Sequence, residues 1–375
     1  MNLLLEQEQR IFIETVRKFF EKEYPKEVMR RETEGDEALT RELWEKIARL
    51  GWVGMNFPEQ YGGADMNLLE TAFLCEEMGR SLFMSPYFVN YVACQLISAG
   101  ENGGLKTEIL PRVMGGELIV TLALAEPSHR YDPLGISTTA RETNSGYVVN
   151  GTKLFVQYAG LADYAVCAAR IGGDAGTEEG VALFLLDLKT TANLDIHRLR
   201  TIAKDHQYEL ILNNVEIPKE RLISYDGWRH LSSVLNKGRV IKYAELAGRL
   251  EKALEMAVDY SHERTVQGGK PIGSFQALQH QLADVATEID GAKYLVYQAA
   301  QSAGGDNELF HIMTACAWLE KIYWKNCLKI HECFGAIGFT DEFDLQFITR
   351  VAKAHHPLLG DEPYYEQQLK KILFQ

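Results

Sequence analysis

The side chains with which this sequence could ligate a metal or build a nucleophile are ten histidines and six cysteines in 375 residues. Cys75, Cys94, Cys167, Cys316, Cys327 and Cys333 contain no C-x-x-C pair. Neither a zinc site nor a disulfide scaffold is expected, and a reducing cytoplasm is the expected compartment. No histidine has metal-ligand spacing, so no metal is expected, and His355-His356 reads as a polar pair at a helix end. No G-x-G-x-x-G, P-loop or H-E-x-x-H is present. Carboxylates are abundant, with 52 acidic against 39 basic side chains and a formal net charge of −13. That balance excludes a general nucleic-acid or anionic-membrane binder, since both need basic surface.

The elements that must position any site change their period twice along the chain. To about residue 117 the apolar spacing is helical, as in Ile11, Phe12, Val16, Phe19 and Phe20, then Leu43, Ile47 and Leu50. From Leu118 the runs LIVTLALA, YVVNGTKLFV, DYAVCAAR, VALFLLDL and YELILNNVEI are strand-like. Within the second run Asn150-Gly151 predicts the turn of a β-hairpin, because both residues tolerate positive φ. Residues 172–180, GGDAGTEEG, predict the loop of another. Beyond Trp228 the helical period returns, with Tyr243, Leu246, Ala247, Leu250, Leu254 and Ala257 on one face of a long helix. The expectation is an α+β chain, mainly α: a helical domain over 1–117, a β-domain over 118–228 and a helical bundle over 229–375. This order excludes Rossmann and (β/α)-barrel alternation. Ser81–Gly100 carries no charge but is broken by Ser85, Pro86, Asn90, Gln95 and Ser98, so it predicts a buried helix and no membrane span. The start, MNLLLEQEQR, places acidic residues where an export signal has basic ones.

Short motifs fall at characteristic intervals on this frame. They are PEQYGGADMN at 58–67, EEMGR at 76–80, LALAEP at 122–127, NGTKLFVQYAGLADYAVCAAR at 150–170, YSHER at 260–264, KPIGSFQALQHQLAD at 270–284 and FGAIGFTDEFDLQ at 334–346. In order and spacing the chain resembles the acyl-CoA dehydrogenase family over essentially its whole length. The resemblance implies FAD as cofactor, an acyl-CoA as substrate, an electron-transfer flavoprotein as acceptor, and an oligomer with the cofactor at a subunit interface. In the implied reaction a carboxylate takes the α proton while a hydride passes from the β carbon to the flavin. The resemblance assigns backbone groups around Leu124 and Ala125, the ring of Phe155 and the amide of Gln157 to the flavin. It assigns Arg264, Gly335 and Ala336 to the cofactor of a neighbouring subunit, and Gln276 to the cofactor. Plainer readings are a core aromatic for Phe155 and a solvated helix-end cation for Arg264. The family's small flavin-side serine is replaced by Tyr131.

The carboxylate itself is missing from both positions where the family keeps it. In RVAKAHHPLLGD, residues 350–361, the family glutamate aligns with Leu359, and the alternative position before Arg239 is Gly238. Glu245 is the nearest candidate base, about two turns or 10 Å further along the helix than Gly238. Its plainer reading is a surface ion pair with Arg249 at i, i+4. Asp361 is the second candidate, otherwise a helix N-cap or loop acid. Arg239 matches the family arginine and is expected to order the site or to form a buried ion pair. Three functions compete: an acyl-CoA dehydrogenase with a displaced base, acting on an unusual, branched or cyclic acyl group; a non-catalytic structural subunit of a heteromeric dehydrogenase; and a flavin oxidase or oxygenase on the same fold.

Overall fold

Six helices come first: α1 (Gln7–Glu23), α2 (Lys26–Thr33), α3 (Glu37–Arg49), α4 (Leu68–Arg80), α5 (Tyr87–Ala99) and α6 (Gly103–Met114). The computed structural model describes residues 5–374 except 34, 129, 173–175 and 267. Asp36 and Asn102 start α3 and α6 by accepting hydrogen bonds from Leu39 N (3.1 Å) and Leu105 N (3.2 Å), satisfying donors that the helix itself cannot. The uncharged stretch from Ser81 forms α5, buried almost throughout. Among the described residues no helix is long and apolar enough to cross a membrane.

The strands follow as β1 (Val120–Ala123), β2 (Thr139–Glu142), β3 (Gly146–Gln157), β4 (Tyr164–Arg170), β5 (Val181–Asp187), β6 (Leu194–Arg198), β7 (Gln207–Pro218) and β8 (Leu222–Ser224). They form one sheet in the order β6-β7-β3-β2-β4-β5-β8, with β1 alongside β4. The hairpin expected around residues 172–180 joins β4 to β5, which pair antiparallel from Arg170 opposite Val181, although residues 173–175 lie outside the described set. The hairpin expected at Asn150-Gly151 is not there. Both residues lie inside β3, where the register against β7 slips between Val149 and Gly151. The conformational freedom of the Asn-Gly pair is used in a bulge instead of a turn, because ladder partners on β7 continue past it on both sides. The reversal before β3 falls earlier, where Thr143 N donates to Gly146 O (2.8 Å).

A buried ion pair fixes the strand pair that carries LALAEP. Lys153 of β3 donates to Glu126 at 2.6 Å, and the same carboxylate accepts from Ser137 N (2.8 Å) and Thr138 N (3.1 Å). Burial opposes ionisation of Glu126, but Lys153 and these donors outweigh it and hold its carboxyl below the ordinary value.

The chain ends in α7 (Gly227–Glu263), α8 (Gln276–Gln301), α9 (Glu308–Phe334), α10 (Leu345–Arg350), α11 (His356–Leu359) and α12 (Glu362–Phe374). α7 packs against α4 and α5 as well as α8 and α9, so it is buried on nearly every side. α4 and α7 cross with their backbones almost touching: a Cβ on Gly79 would lie 1.9 Å from Glu245 O, and one on Gly248 would lie 1.9 Å from Glu76 O. The EEMGR motif is built around this crossing. Glu76 pairs with Lys293 of α8 (2.9 Å), Glu77 with Arg17 of α1 (2.6 Å) and Arg80 with Glu255 of α7 (2.6 Å).

The α4–α7 crossing and the Glu126–Lys153 pair each set a stability expectation. Gly248→Ala is expected to cost about 3 kcal/mol or more by overpacking. Gly103→Ala, where an added Cβ meets nothing within 4 Å, should be neutral or slightly stabilising. Chemical unfolding curves compare the two. Lys153→Met leaves Glu126 buried without its counter-ion and is expected to cost about 3–5 kcal/mol. Because the Glu126 carboxyl is depressed in the fold, its contribution is complete above its unfolded value of 4.5 and is lost as pH falls through the folded value. The difference in unfolding free energy between wild type and Glu126→Gln should therefore shrink as pH drops below about 4.5.

Candidate functional site

Where the end of β3 meets α7, a narrow cavity of about 50 Å³ opens, room for a few water-sized groups. Gln157, Tyr158 and His206 line it from the sheet side, Lys242, Glu245, Leu246 and Arg249 from α7, and Val351, Ala354 and His355 from the segment after α10. The sheet side is set by irregular backbone. Leu154 N donates to Ala125 O (2.9 Å), tying LALAEP to β3. β3 then breaks register between Lys153 and Val156, with Phe155 at φ +54° and Tyr158 at φ +58°. Non-glycine residues held in the left-handed region cost roughly 1–3 kcal/mol each and cluster at ligand sites. The bend leaves Phe155 and Gln157 half-buried instead of alternating in and out of the core.

Polar atoms around this cavity lack partners within the described residues. His206 stacks on Tyr158 (5.0 Å, 21°), and both of its ring nitrogens are buried without hydrogen bonds. His355 Nδ1 is likewise buried and unpartnered. Buried polar groups are nearly always satisfied, so three orphan nitrogens around one cavity suit a polar ligand. Burial also pushes His206 below its ordinary value, so its ring is neutral near pH 7 and offers one donor and one acceptor. The half-buried ring of Phe155, the amide of Gln157 and the two ring nitrogens of His206 fit one edge and face of a planar heteroaromatic such as a flavin.

Of the two carboxylates singled out from sequence, Glu245 lines this cavity and Asp361 does not. Glu245 is largely buried, not on the surface, because α4 covers the side of α7 that apolar periodicity leaves open. Its carboxylate accepts from Lys242 Nζ (2.8 Å) and Arg249 Nε (3.0 Å). Burial would raise it, yet these two cations hold it below the ordinary carboxyl value. Asp361 accepts from Tyr364 N (3.0 Å) and caps α12. The side chain of Leu359 is fully buried, and its carbonyl accepts from Arg239 Nε (3.2 Å) and Nη2 (3.1 Å) and from Tyr365 OH (2.7 Å). Arg239 therefore orders this segment through a carbonyl; among the described residues no carboxylate lies within ion-pairing distance of it. Tyr131 packs against Tyr364 (5.1 Å) and, with Leu124, Ala125, Arg239 and Leu358, lines a neighbouring cleft.

A carboxylate that the sequence reading passed over stands behind His355. Glu320 of α9 is buried, with Tyr243 OH at 2.9 Å, His356 Nε2 at 2.8 Å and His355 Nε2 in a short contact. His355-His356 stands at the start of α11, a polar pair at a helix end whose two rings both contact one buried acid. These three groups are close enough to share a cation, but Tyr243 and Lys353 (3.6 Å) already complement the carboxylate, and we read the cluster as a hydrogen-bond network.

Arg264, Gln276, Gly335 and Ala336 are all exposed and gather at the far end of the helical bundle. Tyr260, one turn before Arg264, packs on Phe334, next to Gly335 (4.6 Å), and Gln281 of α8 donates to Lys329 O of α9 (2.7 Å). Phe275, Ile337 and Phe339 are 43%, 45% and 67% exposed, and they punctuate the same polypeptide segments.

The chain matches three family models along its length: the acyl-CoA dehydrogenase N-terminal domain over residues 6–117, the middle domain over 121–215 and the C-terminal domain over 225–371. It is 30% identical over 325 residues to an acyl-CoA dehydrogenase of Bacillus subtilis, covering 83% of this chain and 84% of that one. It is 28% identical over 344 residues to the caffeyl-CoA reductase-Etf complex subunit CarC of Acetobacterium woodii, covering 89% of each. The structure of butyryl-CoA dehydrogenase from Megasphaera elsdenii superposes with a TM-score of 0.90 at 25% identity over the full length of both chains. With three consecutive domains matched and the fold shared throughout, this chain belongs to the acyl-CoA dehydrogenase family.

Proposed function

We propose that this chain is an FAD-dependent dehydrogenase that oxidises an acyl-CoA thioester to the 2,3-enoyl-CoA. The observation that carries this reading is the cavity between the β3 bend and α7, where Gln157 and unpartnered imidazole nitrogens face α7. Bound FAD would supply the two-electron acceptor for hydride from the β carbon. Phe155 and the backbone at Leu124 and Ala125 would hold its ring, and Gln157 would donate to its edge. Met84, Leu246 and Val351 add apolar surface to the polar lining of the cavity.

The exposed set at the end of the bundle supports an oligomer. Arg264 follows Glu245 by nineteen residues along α7, about 28 Å, a separation that supports its serving a cofactor other than the one at its own chain's cavity. We infer that it reaches the FAD phosphates of a neighbouring subunit, the partner's surface covering Phe275, Ile337 and Phe339. The acceptor we infer is an electron-transfer flavoprotein, as the Etf complex of the Acetobacterium woodii relative suggests. The buried Leu359 keeps a second reading in view, a structural subunit whose partner chain supplies the base.

The purified protein should be yellow, and one of a panel of short, branched and aromatic acyl-CoA esters should bleach its visible spectrum anaerobically. A colourless protein that takes up no added FAD sinks the dehydrogenase reading. A yellow protein bleached only after a paralogous chain is added supports the structural-subunit reading instead. Arg264→Ala is expected to weaken FAD retention about tenfold or more, the loss of a charge-assisted contact, as measured by flavin absorbance per chain after gel filtration at dilution.

A further inference from the structure

We propose that His355, oriented by Glu320, is the base that removes the α proton of the bound thioester through its Nδ1. This inference rests on the dehydrogenase reading and fills the gap left by Leu359 and Gly238. His355 lines the cavity that Gln157 also lines, and its side chain is only 2% exposed. Its Nε2 contacts Glu320, an ionised acceptor, so the ring proton resides on Nε2 and Nδ1 carries the lone pair. Nδ1 has no partner among the described residues. The arrangement has the logic of an acid–imidazole pair: a buried carboxylate sets the tautomer and stabilises the imidazolium that forms. Glu245 shares the cavity but is a poor base, because its oxygens already accept from Lys242 and Arg249.

The proton balance is simple. The Cα–H bond breaks, its proton goes to His355 Nδ1, and the electron pair it leaves becomes the new Cα–Cβ π bond. The β hydrogen departs with its own pair to the FAD of the proposed function. Without a β hydrogen to lose, the same base can only remove and return the α proton, exchanging it with solvent.

The charged and titratable groups around His355 set its pH response. Glu320 faces it from α9, Tyr243 and Lys242 from α7, His356 and Lys353 from its own segment, and Asp205, His206, Glu245 and Arg249 across the cavity. Burial lowers the imidazole below its ordinary value, with Glu320 pulling the other way, so the ring is neutral near pH 7 and competent as a base. Proton removal should rise with pH as His355 loses its proton. Removing the charge of Glu320 lowers that pKa further and moves the limb towards acid.

The test follows α-proton exchange of 3-thiabutyryl-CoA in D2O by mass spectrometry with the FAD-loaded full-length protein. This thioester has no β hydrogen, so no oxidation is involved. His355→Gln is expected to slow exchange about a hundredfold or more, the usual contribution of a general base. Asp361→Asn should exchange like wild type. Glu320→Gln should be slower, with its pH limb shifted towards acid, a change that a merely structural role would not produce. Flavin content and unfolding midpoints check that the variants fold, and 15N NMR of labelled histidine reads the Nε2–H tautomer independently of turnover. Exchange undiminished in His355→Gln, or lost in Glu245→Gln instead, overturns the proposal. A wild type bleached by an acyl-CoA while His355→Gln is bleached as fast sinks the His355 assignment alone. A wild type that no thioester bleaches sinks the dehydrogenase reading beneath it.

Discussion

The close crossing of α4 and α7 is the constraint on which the site depends. Gly79 and Gly248 face each other's helix, and each lets the opposite backbone approach to a distance at which no Cβ fits. Crossing at contact distance fixes both the spacing and the rotation of α7. Rotation matters because one helix carries Arg239, Lys242, Tyr243, Glu245 and Arg249 on successive turns. A change of angle at Gly248 would move Arg239 off the Leu359 carbonyl and Tyr243 off Glu320 together.

Packing of this kind brings charge into the interior, and the chain neutralises it in local sets. Glu76 has Lys293, Glu77 has Arg17, Glu126 has Lys153, and Glu245 has two cations. Each set consists of an acid with donors from another turn or another element, so the interactions that satisfy the charges also fix the relative positions of helices and strands. Such pairs are weak evidence for net stability, but breaking one is expensive, and their geometry specifies a single arrangement. Most of the acidic residues that make the composition conspicuous in the interior are thereby removed from chemistry.

The fold was legible because period, order and motif spacing agreed, and the helical, strand-rich and helical parts follow the sequence in that order. The local errors have physical causes. Asn150-Gly151 marked a place of unusual backbone, but whether that becomes a turn or a bulge depends on β7, some sixty residues later. β2 and β6 gave no apolar run because most of their residues are exposed, and β6 lies at the sheet's edge. The plainer reading of Glu245 as a surface pair has the Arg249 partner right and the exposure wrong, because a helix between two layers has no solvent face at its middle. The Glu320 cluster could not be seen at all, since the acid and its histidines are separated by 35 and 36 positions and meet only when the start of α11 folds back onto α9. His206 likewise gave no pattern, being a loop residue whose neighbours come from the β3 bend.

The segment around Leu359 explains why a base could move without the fold moving. Arg239 and Tyr365 hold that segment by its carbonyl oxygen, which any residue provides, so the scaffold does not depend on which side chain position 359 carries. Once a buried leucine stands there, the nearest groups able to accept a proton must come from elements already facing the cavity. α7 offers Glu245, tied to two cations, and the turn before α11 offers His355, four positions upstream on the same segment. A carboxylate acts as a base by itself, whereas an imidazole needs its second nitrogen occupied if its tautomer is to be fixed. Glu320 meets that requirement from α9, outside the cavity lining. With His355 as the base, the α carbon would face a neutral imidazole, which becomes charged only when it takes the proton.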